Sequence, residues 1–328
     1  MTSSLPTMLL PTLFATIGDD ILVGDDEGNI LYGESGGDVL VGVKGRDTLV
    51  GGEGNDTLLG GGLHSSFWGV VSDLSEEDPT GIFYFNRPDP LTFAETLRGQ
   101  AGDDVLIGGS WHDANADQKV GAEELTLGSL DQQESWGFNN VMWGGVGNDE
   151  LHGANGFDTL GGGAGDDLIY GYGGIDRIFG GAGNDTIVGG AGDPELFHRE
   201  EGGGSIYVEE LYGGAGNDEI SGGEGDDYIF GGTGSDFLSG GAGDDTLLGG
   251  AGSDVFEFIQ GFDTLSDFNP DEDTLSLEFG LSREQYKAQS QDTVIGGEAG
   301  LLLTIGDDDS VFLVGLKLEN FDELNIAI

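Results

Sequence analysis

Large apolar residues recur along this chain at intervals of nine. Leu22, Leu31, Leu40, Leu49 and Leu58 open the series, and Ile220, Ile229, Leu238, Leu247 and Phe256 close it. Each sits in the middle of a triplet whose flanking residues vary, as in Thr57-Leu58-Leu59 or Tyr228-Ile229-Phe230. Alternation at period two predicts a short strand with its central side chain turned inward. Between triplets the chain is glycine and polar, which predicts a tight turn. A repeat this short has no room for a helix, so the pattern predicts an all-β stack of strand–turn units.

Written in full, the unit is G-G-x-G-x-D-x-U-x, where U is the large apolar residue at position eight. Close copies begin at Gly51, Gly144, Gly162, Gly180, Gly213, Gly222, Gly231, Gly240 and Gly249. Looser copies begin at Ala15, Gly24, Gly33, Gly42, Gly99, Gly153 and Gly171. Three stretches, 63–95, 111–140 and 194–209, seem to interrupt the array, yet the frame survives each. Thr96-Leu97-Arg98, Val141-Met142-Trp143 and Glu210-Leu211-Tyr212 supply the missing strands. Each insertion therefore lies inside a turn, and nineteen units in one frame predict one continuous solenoid over 15–257. Residues 1–14 form a short N-terminal tail or cap, and 258–328 a C-terminal cap.

Charge changes the picture. The chain of 328 residues carries 62 acidic side chains against 10 basic, a formal net charge of −52. Such a chain repels itself out of any compact state unless cations neutralise it. Carboxylates clustered with backbone carbonyls favour a hard cation, Ca²⁺, over softer metals. The same charge excludes a phosphate-binding surface, so nucleic acid is not a partner. No run of about 18 apolar residues occurs, so no membrane-spanning helix is expected. The start, with Met8-Leu9-Leu10, lacks the basic region of a cleaved leader. Cysteine is absent, so disulfides do not stabilise the fold.

The repeat resembles the RTX family of glycine-rich nonapeptide calcium-binding proteins, of the hemolysin and serralysin C-terminal type. The resemblance covers about three-quarters of the chain. It implies a parallel β-roll in which two units make one coil and stacked turns hold Ca²⁺ along each edge. It also implies export by a type I secretion machinery, with an uncleaved C-terminal signal that ends here in Asn320 to Ile328. Two units per coil would place odd units on one edge and even units on the other. The odd edge would then carry an unbroken series: Asp20, Asp38, Asp56, Asp104, Asp149, Asp167, Asp185, Asp218, Asp236 and Asp254. The even edge would carry Asn29, Asp47, Asp158, Asp176, Asp227 and Asp245, with three gaps at the insertions. The bland alternative, aspartates that only shape turns, leaves ten stacked carboxylates without counter-charge. At about 4.8 Å per coil the roll is about 45 Å long.

The second insertion holds a further candidate. Asp113, Asn115, Asp117, Lys119 and Glu124 stand at positions one, three, five, seven and twelve of an EF-hand-like loop, Lys119 through its carbonyl. Gln118 occupies position six, where glycine is expected. The insertions also gather aromatics, among them Trp68, Trp111 and Trp136, with Trp143 at a rim. These either pack the loops onto the roll or present a contact face. Beyond 258 the sequence predicts strands at Phe262–Phe268 and Asp273–Leu277, a helix from Ser282 to Ser290, and a hairpin around Gly306–Asp309.

Of the histidines His64, His112, His152 and His198, none lies in an H-E-x-x-H pattern, and there is no G-x-S-x-G elbow. Only about 14 residues precede the first repeat, so no catalytic domain is expected ahead of it. The sequence therefore favours a non-enzymatic, secreted calcium-binding protein of the cell exterior, a surface-layer, filament or matrix subunit that associates with itself. The alternative is an adhesin or module for cell-surface polysaccharide that uses the aromatic loops.

Overall fold

The computed structural model describes residues 12–25, 28–43, 46–62, 96–102, 104–108, 139–191, 209–277, 279–306 and 309–328. Among these the strands form two sheets, one of fourteen strands and one of twelve. The first sheet runs β1 (Thr12–Phe14), β3 (Ile30–Ser35), β5 (Thr48–Glu53), β7 (Thr96–Ala101), β9 (Val141–Val146), β11 (Thr159–Ala164), β13 (Arg177–Ala182), β15 (Glu210–Ala215), β17 (Tyr228–Thr233), β19 (Thr246–Ala251) and β21 (Phe262–Leu265). The second runs β2 (Ile21–Val23), β4 (Val39–Val43), β6 (Thr57–Gly62), β8 (Val105–Ile107), β10 (Glu150–Gly156), β12 (Leu168–Gly174), β14 (Thr186–Ala191), β16 (Glu219–Glu224), β18 (Phe237–Ala242), β20 (Val255–Phe258) and β22 (Thr274–Leu277). The chain alternates between the sheets, and each strand pairs in parallel with the strand two units on, as Tyr228 does with Thr246. This is a parallel β-roll.

The core is a single layer of position-eight side chains. Leu31, Leu40, Leu49, Leu58, Leu97, Leu106, Met142 and Leu151 are fully buried, and the series continues through Ile229 and Leu238. Each strand runs from position seven into position three of the next unit, so the glycine at position one also faces inward. Fully burying one aliphatic side chain contributes about 1.5–3 kcal/mol, and the roll gains this once per unit.

The insertions leave the roll where the parity of the repeat requires. They fall between β6 and β7, β8 and β9, and β14 and β15. Every one of these steps passes from the second sheet to the first, so the chain leaves the roll for each insertion at the same edge.

Parallel pairing continues beyond 257. β21 pairs with β19 and β22 with β20, and Asp263 and Asp273 take the place of the repeat aspartate. The array ends two units later than the sequence suggests, because these units lack the paired glycines. The strands β25 (Ser310–Val314), β24 (Glu298–Thr304) and β23 (Gln291–Ile295) then extend the first sheet, the latter two antiparallel. β26 (Ile326–Ala327) extends the second. The helix α1 (Arg283–Gln289) carries a capping box between Ser282 and Gln285 and buries Tyr286. Arg283 donates to the carbonyls of Phe321, Asp322 and Leu324, tying α1 to the C-terminal 3-10 turn.

Candidate metal centre

At position six the aspartates form a ladder. Oδ1 of Asp38 accepts the backbone N–H of Asp20 at 2.8 Å, and Asp56 does the same for Asp38 at 2.8 Å. The pattern repeats without a break through Asp104, Asp149, Asp167, Asp185, Asp218, Asp236 and Asp254. It extends to Asp273, which accepts from Asp254 at 3.0 Å. On the other edge Asp47, Asp158, Asp176, Asp227, Asp245 and Asp263 accept in the same way. Each aspartate thus satisfies the preceding coil.

The other carboxylate oxygen is the chemically unfinished part. Oδ2 of Asp38, Asp56, Asp158, Asp167, Asp176, Asp185, Asp218, Asp227, Asp236 and Asp245 is buried without a hydrogen-bond partner. It lies over the bare face of the position-one glycine, opposite a carbonyl of the next coil. A methyl group placed on Gly33 would lie 2.5 Å from both Asp38 Oδ2 and the Gly51 carbonyl oxygen. The same point on Gly213 is 2.4 Å from Asp218 Oδ2 and 2.5 Å from the Gly231 oxygen. A buried carboxylate oxygen without a donor, bordering the same small space as a carbonyl oxygen, demands a proton or a cation. At these glycines a Cβ would fill that space.

Asn140 shows what satisfies the pair. It occupies position six after the second insertion, and its Nδ2 donates to the Gly153 carbonyl at 2.7 Å. Here an amide N–H bridges to the carbonyl that elsewhere faces a carboxylate.

Position four adds further oxygens. Gly54, Gly165, Gly183, Gly216, Gly234, Gly243 and Gly252 all have φ between +125° and +151°. A Cβ on Gly216 would lie 1.5 Å from the Gly183 carbonyl oxygen, so this column of carbonyls can stack only on glycine. Position five carries a second ladder of opposite polarity. Asn148 Oδ1 accepts from Asp166 N–H at 2.9 Å, Asp166 from Asn184 at 2.8 Å, and Asn184 from Asn217 at 2.8 Å. The sequence pattern left position five open; the frequency of Asn and Asp there was the signal.

Burial drives the carboxylates toward the protonated form. Desolvation pushes Asp56, Asp185, Asp218, Asp236 and Asp254 up to about 6. It pushes Asp167, Asp176 and Asp227 to about 7, Asp47 to about 8 and Asp158 to about 9. Asp245 and Asp263 face each other across one coil step, and burial raises both. Asp20 is the exception. Thr16 donates to its Oδ2 from both Oγ1 and N–H at 2.7 Å, which holds its carboxyl below the usual range.

The gaps expected on the even edge need correction. Asn140 and Glu209 stand at position six, and their N–H groups donate to Asp158 and Asp227 like those of the other units. Glu209 is one methylene too long for the slot. Both its carboxylate oxygens are buried without a hydrogen-bond partner, and burial pushes it to about 10. The loop residues Asp113, Asn115, Asp117, Lys119 and Glu124 lie outside the described residues.

Among the described residues no three acidic or histidine side chains converge on one point. An ion on either edge must therefore draw on backbone carbonyls as well as carboxylates, which is oxygen-only chemistry suited to Ca²⁺. The RTX calcium-binding nonapeptide repeat matches at residues 14–49, 32–63, 92–110, 137–160, 161–196, 203–238 and 230–265. The chain belongs to this RTX family. Its repeats bind calcium, several ions to a chain. No curated protein matches it in sequence. Among solved structures it is similar to the AlgE6R3 subunit of the mannuronan C5-epimerase from Azotobacter vinelandii, at 22% identity and a TM-score of 0.27, covering 51% of this chain and 80% of that one. It is also similar to the extracellular lipase LipA from Serratia marcescens, at 17% identity and a TM-score of 0.22, covering 98% of this chain and 40% of the lipase. No helix of the described residues is long and apolar enough to cross a membrane.

Proposed function

We propose that this RTX protein is a secreted, non-enzymatic structural subunit of the cell exterior that calcium folds after export through a type I machinery. The observation that carries the reading is the pair of carboxylate ladders, in which second oxygens such as those of Asp38, Asp167 and Asp227 are buried without a donor. The residues that would hold the ions are Asp38, Asp56, Asp104, Asp149, Asp167, Asp185, Asp218, Asp236 and Asp254 on one edge, with Asp20 at its start. On the other they are Asp47, Asp158, Asp176, Asp227 and Asp245. Asp113, Asn115, Asp117, Lys119 and Glu124 would form a separate site in the second insertion.

Bound calcium supplies the positive charge that these oxygens lack. The chain's own residues do the rest. Position-six aspartates fix the register by accepting one N–H each. Position-one glycines leave room for the carboxylate, and position-four glycines stack the turns. In a calcium-poor cytoplasm a net charge of −52 keeps the chain open for passage through a channel. Outside, at about millimolar Ca²⁺, binding free energy becomes folding free energy. Circular dichroism in chelator and in calcium tests this: β-structure should appear only with calcium at neutral pH, and an equal β-signal in chelator would refute it.

A second reading, an adhesin or polysaccharide-binding module, draws on all three insertions leaving the roll at one edge, where their aromatics would gather. Negative-stain images separate the two. Ordered calcium-dependent polymers support a structural subunit, and monomers that bind a glycan array support the module.

A further inference from the structure

Two features mark the outward face of the first sheet, although stacked rings also stand on the second, where His152, Tyr170 and Tyr172 pack together. The first face is nearly uncharged. Across seven consecutive strands, β7 to β19, the charged side chains are Arg98, Arg177 and Glu210, in a chain with 62 acidic residues. The corresponding strands of the second sheet, β8 to β20, carry Glu150, Glu219, Glu224 and Glu257 with no basic residue. The first face is also aromatic. Trp143, Phe179, Tyr212 and Phe230 all stand at position nine, pointing out of the roll. Trp143 lies across Gly161, where a Cβ would meet its ring, and so reaches Phe179 at 6.4 Å between ring centres. Phe179 stacks on Tyr212 at 5.2 Å. Trp143 remains 41% exposed, Val141 36% and Val146 62%.

We infer that this face is where a second copy of the chain docks. The inference rests on the structural-subunit reading and names the surface that would carry it. Two copies of so acidic a protein repel each other on every side where carboxylates face outward. Here that repulsion is absent, and apolar and aromatic area takes its place. The size is adequate. Seven strands about 4.8 Å apart and six residues wide make a face of roughly 30 by 20 Å. Two such faces bury about 1,200 Å², the lower end of specific interfaces. The charges are self-complementary. Arg177 and Glu210 pair at 2.6 Å on adjacent strands at the middle of the face. A two-fold axis between β13 and β15 would set Arg177 of each copy against Glu210 of the other, as an isologous interface requires.

Sedimentation of the full chain in calcium tests the inference. The wild type should form dimers or larger species. The F179E/Y212E variant should lose at least about tenfold in self-association, because each copy then brings two unpaired carboxylates into the contact. Arg98 already occupies position nine of this sheet, so a charge there is compatible with the roll, and the calcium-driven dichroism change should be retained. S221E, at position nine of the second sheet, should associate like wild type. A folded, calcium-loaded wild type that sediments as a monomer would overturn the inference, and so would an F179E/Y212E chain that associates normally. A monomer retained by a polysaccharide column through Phe179 and Tyr212 would overturn it in favour of a glycan surface. Failure of calcium to induce β-structure would instead sink the folding mechanism, whatever the sedimentation shows.

Discussion

At the scale of the residue, the informative comparison is between Asp227 and Asn140. Both stand at position six and both continue the ladder with their neighbours. Asp227 leaves Oδ2 buried and unpartnered, while Asn140 turns an N–H onto the opposing carbonyl. Asp227→Asn should therefore stabilise the calcium-free roll, by about 1–3 kcal/mol for removing one unsatisfied buried acceptor. It should also lower the calcium bound per chain. Thermal melts in chelator at about pH 6, where protonation of the ladder holds the calcium-free roll folded, and metal analysis of the purified protein check the two halves, and a lowered melt would count against it. Glycine matters for a different reason at position four. Gly216→Ala forces a side chain into φ +141° and onto the Gly183 carbonyl. The expected loss is at least about 2 kcal/mol in the calcium-loaded protein, measured by denaturant unfolding. The same substitution at Gly296, where φ is +62° and no atom lies within 4 Å of the added Cβ, should cost less.

At the scale of the element, the ladder behaves as one titrating unit. Its aspartates ionise near 3.8 when exposed, and burial pushes them to about 6 to 9 in the roll. Between those limits the folded chain holds more protons than the unfolded one, so stability without calcium falls as pH rises. The calcium-free roll should be at its most stable below about pH 4, lose stability steadily as pH rises above that, and have lost the whole contribution once pH passes the folded values of about 6 to 9. Acid should thus replace calcium as the folding agent. Dichroism in chelator from pH 4 to 8 measures this, and a β-signal that grows with pH would contradict it. The ladder was legible in the sequence because Asp recurs with strict spacing. Its extension to Asp263 and Asp273 was not. There the glycines at positions one and two give way to Phe258, Ile259, Asp267 and Phe268, and only backbone pairing keeps the register.

At the scale of the whole molecule, calcium and protons compete for the same oxygens. Calcium uptake by the acid-folded roll, at about pH 5, should release protons, since carboxylates that burial pushes to about 7 or above are protonated there before the metal binds. Calorimetry in buffers of differing ionisation enthalpy detects the release, and heats independent of buffer would exclude it. The C-terminal cap matters at this scale as well. Arg283 holds α1 to three carbonyls of the terminal turn, and Tyr286 and Phe321 fill the end of the core. Arg283→Ala should loosen the cap and expose strand edges, seen as faster amide exchange in β22 and β25 with little change at β13.

The nine-residue period by itself determined the strand triplets, the inward position-eight side chain, the acidic turns and the need for a cation. Parity of the unit count also determined that all insertions leave from one edge, because each unit rotates the chain by half a coil. Tertiary structure decided what no linear pattern contains. It set which carboxylate oxygen meets which carbonyl, since partners lie 18 to 48 residues apart. It placed Asn140 and Glu209 in slots that spacing alone had left empty. It also aligned Trp143, Phe179 and Tyr212, separated in the chain by an insertion, into one stack on one face. Coils stacked about 4.8 Å apart bring side chains of equal position into contact, and the frame therefore fixes neighbours that the sequence holds far apart.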